Sequence, residues 1–371
     1  MRYRIQGSIR KIKLYRSKIF KTSHLKAKLS NFIFERWFEK YKKNFKKKNT
    51  NRVLIISQEA LGDNIVKIES IKKIAKIYGK ENIYIMCRKK WGDIFKILGY
   101  NVLEYSKSKS PIEYAKMRIN FFRSINELGF KKVILFEHIS LGEILKYIIC
   151  DDTIGLCPED KSIYIKKCLK TDDDKTYTLD RQILLMKELT GKTYTKEELR
   201  PDLRVGFKKQ ENLNIITIGI GASNEKKILP VNNMAKILNM LSKKYPNKTI
   251  KLLGVGKKQK NYAQDLVNCF EGKNIENCVD RLSLLESIEL INNSDFFLGY
   301  DSGLSNAAFA LRKKYICLFW TDMTVWQHPF DDLRIIKGNG INPENDGYHG
   351  TDILNSIKVE QVEEALKELK L

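Results

Sequence analysis

The sequence predicts an α/β protein: two Rossmann-like, doubly wound domains facing a central cleft, behind a basic helical arm. Three observations predict it. From Arg52 onward, short β-branched runs alternate with helical stretches, the pattern of a parallel sheet with helices on its faces. That alternation pauses at a polar stretch, Thr171–Gln210, and a second series begins at Leu213. The length of 371 residues suits two domains, and 43% hydrophobic with 10% aromatic residues lets each bury a sizeable core. Global disorder, collagen and a disulfide miniprotein are excluded by the same composition. The expected boundaries are 1–51 for the arm, 52–205 and 206–345 for the two domains, and 346–371 for a tail and helix.

The arm holds most of the charge. Net charge is +24, and residues 1–52 supply +16 of it, with 18 Lys/Arg against Glu35 and Glu39. Apolar residues recur among the cations: Ile5, Ile9, Ile12, then Leu25, Leu29, Phe32, Ile33, Trp37, Tyr41 and Phe45. Steps of three and four put the second set on one helical face, with Lys and Arg on the other. A basic amphipathic helix with Trp and Phe suits an anionic membrane surface. We read residues 1–48 that way, ahead of a helix packed on the protein. Nucleic-acid binding comes last, because no recognition-helix, zinc-finger or RNA-binding motif accompanies the charge. No run approaches the ~20 apolar residues of a membrane-spanning helix, and no secretory signal is recognisable. The chain is therefore expected to start and stay in the cytosol. The seven cysteines (Cys87, Cys150, Cys157, Cys168, Cys269, Cys278, Cys317) form no CxxC pair and read as free thiols. Four histidines without an HxxxH pair make a metal site improbable.

The elements follow in order. Val53–Ile56 is a buried strand, the turn Ser57–Asp63 follows, and a helical stretch runs to Gly79. Ile83–Met86 and Val133–Phe136 are further strands, with a helix at Ile112–Leu128 between them. Thr171–Gln210 reads as an interdomain linker containing a helix, Leu179–Leu189; its Asp172-Asp173-Asp174 run reads as a solvated loop. The second series has strands at Ile215–Ile218, Thr249–Leu253, Phe296–Gly299 and Ile316–Phe319. Its helices are Val231–Lys244, Ser283–Asn293 and the terminal Val359–Leu369.

Ligands of such sheets bind at the carboxyl ends of the strands, and three segments lie there. In Leu61-Gly62-Asp63, Gly62 permits a tight strand-to-helix turn. Asp63 is either a helix cap or a general base, and the local pattern alone favours the cap. Gly219–Pro230 carries Gly221, Ser223, Lys226 and Lys227 ahead of a helix that Pro230 helps start, a composition suited to phosphate. A plain surface loop is the other reading. In Asp301–Asn306 the chain turns at Gly303 and opens a helix, where Ser302, Gly303 and Leu304 would offer amides to an anion.

In this order across two Rossmann halves, the three segments resemble glycosyltransferase family 9, the heptosyltransferase-like enzymes of the GT-B fold. The resemblance covers about residues 52–330. The family's L-G-D turn is similar to Leu61-Gly62-Asp63. Its K-x-W-P element is similar to Lys227-Ile228-Leu229-Pro230, with Leu229 in place of Trp. Its D-[ST]-G-L-x-H element is similar to Asp301–Asn306, with Asn306 in place of His. The resemblance implies an inverting, metal-independent transfer of a sugar, heptose from ADP-heptose first among them. The acceptor would be a lipopolysaccharide or lipooligosaccharide core at the cytoplasmic face of the inner membrane. It implies no cofactor beyond the nucleotide sugar. By position, Asp63 would deprotonate the acceptor hydroxyl. Lys227 and Ser223 would hold the donor phosphates, with Gly221, Asp301, Ser302, Gly303, Leu304 and Asn306 completing the donor side. Family members often place an acid after the strand matching Thr249–Leu253; Gly254–Lys260 has none. Two alternatives stand beside this reading: another GT-B enzyme, such as a nucleotide-sugar epimerase, and a catalytically degenerate member serving as a binding protein.

Overall fold

A computed structural model of the chain describes residues 28–105, 110–136, 142–157, 164–172, 175–210, 213–322, 325, 327–341 and 349–371. Two six-stranded, all-parallel sheets form the body. The first holds β1 (Val53–Ser57), β2 (Ile83–Arg88), β3 (Asn101–Tyr105), β4 (Lys132–Leu135), β5 (Thr153–Cys157) and β6 (Lys167–Lys170), in the order β3-β2-β1-β4-β5-β6. The second holds β7 (Ile215–Gly219), β8 (Thr249–Leu253), β9 (Ile275–Asn277), β10 (Phe296–Tyr300), β11 (Tyr315–Leu318) and β12 (Leu333–Ile336), in the order β12-β11-β10-β7-β8-β9. This is the α/β, two-Rossmann architecture the alternation predicts. In each sheet the strand order reverses beside the first strand, between β1 and β4 and between β7 and β10. A crevice opens where neighbouring crossovers leave on opposite faces. Asp63 follows β1, Lys227 follows β7 and Asp301 follows β10, so all three sit at a switch point.

Helix α1 (residues 28–44) precedes the first sheet. Around that sheet lie α2 (Leu61–Val66), α3 (Ile68–Tyr78), α4 (Gly92–Ile97), α5 (Pro111–Leu128) and α6 (Gly142–Leu145). They are followed by α7 (Thr178–Thr190) and α8 (Lys196–Leu199). Around the second sheet lie α9 (Val231–Lys244), α10 (Lys257–Asn268), α11 (Leu284–Asn293), α12 (Gly303–Ala310), α13 (Asp352–Asn355) and α14 (Val359–Glu368). The central strands are wholly buried, which is why their sequences are unbroken apolar runs. The outer strands β6, β9 and β12 are partly exposed and correspondingly mixed, and the sequence reading missed them along with β3 and β5.

Four expectations need correcting. First, α1 is packed on the protein. Phe34 and Phe38 are fully buried; Phe34 shares a core with Leu54, Ile56, Phe122 and Phe130, and Phe38 packs against Phe34 and Tyr147. Leu29 and Phe32 point away, so the apolar residues do not form the single face that spacing predicted; Ile5, Ile9, Ile12 and Leu25 lie outside the described residues. Second, Cys157 and Cys168 form a disulfide rather than standing as free thiols. Parallel β5 and β6 pair Gly155 with Cys168 and leave the two cysteines diagonal neighbours, 5.5 Å apart at Cα. Third, the 171–210 stretch is not a loose linker. Tyr177, Leu179, Leu185, Met186, Leu199 and Leu203 are buried, and the Leu203 N–H donates to the Ala310 carbonyl at 3.0 Å. One apolar cluster therefore continues from Ile55 and Ile65 through α7 to Phe309 and Tyr315 of the second half. Fourth, neither Gly62 nor Gly303 has a positive φ, so neither is required for a turn.

Candidate active site

The reason for both glycines is the approach of α2 to α12 across the cleft. A Cβ on Gly303 would lie 2.5 Å from Leu61 Cδ2 and 2.8 Å from Leu61 Cβ. A Cβ on Gly62 would lie 2.6 Å from Asn306 Nδ2. The start of the first-sheet helix and the start of the second-sheet helix thus touch with no side chain to spare. Because Leu61 Cβ cannot swing aside, Gly303→Ala must part the two helices. We expect a stability loss of about 1–3 kcal/mol, the usual cost of overpacking, readable as a lowered denaturation midpoint. An unchanged midpoint would mean that the two halves do not meet in this way.

Asp63 lies in the first turn of α2, half-buried, where Oδ2 accepts the Ala60 N–H at 3.1 Å. The cap role is therefore real. Beneath it runs a buried polar network. Lys67, 1% exposed, donates to Glu59 Oε2 at 2.6 Å and to Ser57 Oγ at 3.1 Å. Ser57 donates to Asn64 Oδ1 at 2.9 Å, and Asn64 Nδ2 donates to the Ala60 carbonyl at 2.7 Å. The Trp91 indole N–H holds the Glu59 carbonyl at 3.2 Å. Burial pushes the Asp63 carboxyl above its ordinary range; the Lys67 ammonium pulls it down and the Glu59 carboxylate pushes it up. A carboxylate whose proton affinity is raised is a better base when ionised.

Across the cleft, Lys227 Nζ lies 2.5 Å from Asp301 Oδ2. The Trp320 indole N–H donates to the same oxygen at 3.3 Å, and the Lys227 ammonium sits 5.0 Å from the Trp320 ring centroid. An ammonium has three donors and this ion pair uses one, so Lys227 keeps donors for an anion while Asp301 fixes its place. Ser302 is the N-cap residue of α12, and among the described residues its buried Oγ has no hydrogen-bond partner. The first amides of α12, from Gly303 and Leu304, point out of the helix start as helix geometry requires.

Other residues named from sequence are placed differently. Gly221 is where Gln259 packs: a Cβ there would overlap the Gln259 amide, whose Oε1 accepts the Val255 N–H at 2.8 Å. Ser223 stands exposed near the start of its loop, as does Lys226. Leu229 is fully buried in the second core, its carbonyl bonded by the Tyr262 hydroxyl at 2.8 Å. Asn306 is a link in a chain. Its Nδ2 donates to the Ser302 carbonyl at 3.0 Å, so its Oδ1 faces His328 Nε2, 3.1 Å away. That oxygen only accepts, so Nε2 carries the proton and Nδ1 accepts from the Tyr177 hydroxyl at 2.7 Å. Burial holds His328 neutral by lowering its pKa to about 3. The chain ties α12 to Tyr177 ahead of α7, beside the bond from the Thr178 N–H to the Val325 carbonyl.

Sequence reasoning missed Trp320, His328, Tyr177 and Lys67. Only Trp320 carried a usable signal, since it follows a buried strand at the cleft-facing end. Asp280, beyond β9, holds the turn after β8, its Oδ1 accepting the Gly256 N–H at 2.6 Å.

Comparison with known proteins bears on the fold and the family. The model of glycosyltransferase family 9 (heptosyltransferase) matches residues 159–356, more than half of the chain. Lipopolysaccharide heptosyltransferase 1 of Campylobacter coli is 31% identical over 126 residues, 33% of this chain. The match spans about a third of that relative, 36% of its length. The family 9 glycosyl transferase from Veillonella parvula DSM 2008 superposes with a TM-score of 0.69 at 15% identity, over 87% of this chain and 99% of that one. E. coli heptosyltransferase WaaC with ADP gives 0.63 at 14% identity, over 85% and 97%. At such identities the two structures speak for the GT-B fold, and the family match over residues 159–356, which takes in the Lys227 and Asp301 loops, says more: this chain belongs to glycosyltransferase family 9 (heptosyltransferase).

Proposed function

We propose that the chain is an inverting, metal-independent glycosyltransferase. It moves heptose from ADP-heptose to a hydroxyl of a lipopolysaccharide or lipooligosaccharide core at the cytoplasmic face of the inner membrane. One observation supports this reading: the close approach of α2 and α12 brings the helix start that carries the half-buried Asp63 against the helix start at Ser302, beside the Asp301 that pairs with Lys227. Asp63 takes the proton of the acceptor hydroxyl as its oxygen bonds to the anomeric carbon. The bond from that carbon to the diphosphate breaks on the opposite face, so configuration inverts. Negative charge growing on the leaving diphosphate is met by the Lys227 ammonium and by the Ser302, Gly303 and Leu304 amides. Asp301 and Trp320 orient Lys227 for that task. Ser223 is within the same loop and Asn306 holds the Ser302 turn through its carbonyl. Mass-resolved transfer from ADP-heptose to a heptose-accepting core oligosaccharide tests the reading. Failure of transfer with a retained ADP-induced melting shift would leave a binding protein; failure of both would remove the nucleotide-sugar reading.

Lys227→Ala should weaken ADP binding about 10- to 100-fold, since a hydrogen bond to a charged group is worth roughly 1.5–3 kcal/mol. Lys226→Ala, at an exposed site, should change it less than about twofold. Calorimetry separates them, and equal or reversed effects would show that the phosphates lie elsewhere.

A further inference from the structure

Helix α1 has two faces with different chemistry. Its inner face is locked to the first sheet's helices. The Phe34 ring lies 5.4 Å from Phe122 and 4.7 Å from Tyr147, and the Arg118 guanidinium sits 3.9 Å over Phe34. Arg118 also donates to Asn31 Oδ1 at 2.6 Å, and Lys146 bonds Glu35 at 2.8 Å. Among the described residues its outer face is unpartnered. Leu29 is 48% exposed and Phe32 65% exposed. Lys28, Arg36, Lys40 and Lys43 are exposed as well, against one exposed acid, Glu39. At 3.6 residues per turn, Phe32, Arg36 and Lys43 lie opposite the buried Phe34 and Phe38 and the half-buried Tyr41.

We propose that this outer face is a docking surface for an anionic lipid bilayer. Leu29 and Phe32 enter the headgroup boundary, and Arg36, Lys40 and Lys43 lie on the headgroups. Two adjacent apolar side chains gain nothing from water or from a phosphate backbone, but they do gain from an interface with hydrocarbon beneath it. Each cation adds about 1 kcal/mol at an anionic surface. Exposed Lys46 and Lys48 follow the helix in the same sense of charge. Because the inner face is pinned, docking orders no new segment and loses little entropy. The membrane-facing part of the arm is thus set by packing, not by the full apolar set seen in sequence. The proposal leans on the transferase reading only for which membrane is met.

The test uses the full chain without donor or acceptor, so it can fail while the transferase reading stands. Co-sedimentation is measured with phosphatidylglycerol-rich vesicles, with phosphatidylcholine vesicles and with single-stranded RNA. The full chain should favour the anionic vesicles, less so with added salt. Combined Arg36→Glu, Lys40→Glu and Lys43→Glu should lower anionic-vesicle affinity by about a hundredfold or more. Leu29→Ser with Phe32→Ser should lower it about tenfold. Both variants should keep the melting temperature, since none of these side chains is buried. Lys257→Glu with Lys260→Glu, on α10, should lose little. Indifference to anionic vesicles, unchanged binding by the α1 variants, an equal loss in the α10 variant, or tighter binding to RNA would each overturn the proposal.

Discussion

Replacing Asp63 with asparagine should lower the transfer rate by about 10²- to 10⁴-fold, the span of a lost general base, while ADP binding stays within about twofold. Asparagine keeps the size of the side chain, and its Oδ1 still accepts the Ala60 N–H that Asp63 binds at 3.1 Å. The start of α2, its contact with α12 and the phosphate side of the cleft therefore survive, and only basicity is lost. Single-turnover transfer read beside calorimetry makes the distinction. A variant that kept most of its rate would reduce Asp63 to a cap. The pH profile gives a second check. In the proposed role Asp63 is a base only when ionised, and burial raises its pKa. Its rate contribution is thus full above that raised pKa and lost as pH falls through it, so the acid limb lies above the ordinary carboxylate range. Glu59 adds negative charge beside it. Glu59→Gln removes that charge and should move the limb to lower pH; a limb that stays put would mean another group is titrating.

The switch-point loops were legible because chemistry and backbone need coincide there. A strand end, a small residue and a polar side chain sit within a few positions of one another, as in Leu61-Gly62-Asp63 and Asp301-Ser302-Gly303. What those glycines do was not legible. Their role is an approach between residues about 240 positions apart, Gly62 to Asn306 and Gly303 to Leu61, and local sequence does not encode the far partner. The Tyr177–His328–Asn306 chain was hidden for the same reason, since each member alone reads as an ordinary polar residue. Central strands such as Val53–Ser57 declared themselves because burial on both faces demands a continuous apolar run. β6, with Lys at both ends, did not, because an exposed edge places no such demand. The arm was misread through periodicity. Steps of three and four admit more than one face, and Leu29 with Phe32 differs from Phe34 with Phe38 by about half a turn.

That last difference changes what truncation should do. From sequence, deleting residues 1–48 leaves two folded domains, because the first sheet strand begins only after Arg52. In the folded chain the same deletion removes Phe34 from a core that includes Leu54, Ile56, Met86, Phe122 and Val133, and with it the buried Phe38 that packs on Phe34 and Tyr147. Truncating one buried Phe to Ala costs about 3–5 kcal/mol, and whole domains are stable by only about 5–15 kcal/mol. The losses extend past the two rings. Glu35 bonds Lys146 and Tyr147, and Arg118 packs over Phe34, so α5 and the segment after α6 would lose their outer layer. The truncated chain should therefore aggregate or melt well below the full chain. Phe38→Ala alone should lower the denaturation midpoint by the equivalent of about 3–5 kcal/mol. The second sheet has its own core, built on Ile216, Ile218, Leu238 and Leu366, none of which the deletion touches. Hydrogen exchange should accordingly show protection lost first around β1, β4 and α5 and kept in β7 and β10. A truncation that melts with the full chain would mean that α1 covers the sheet without stabilising it, and the burial of Phe34 and Phe38 would then have to be wrong.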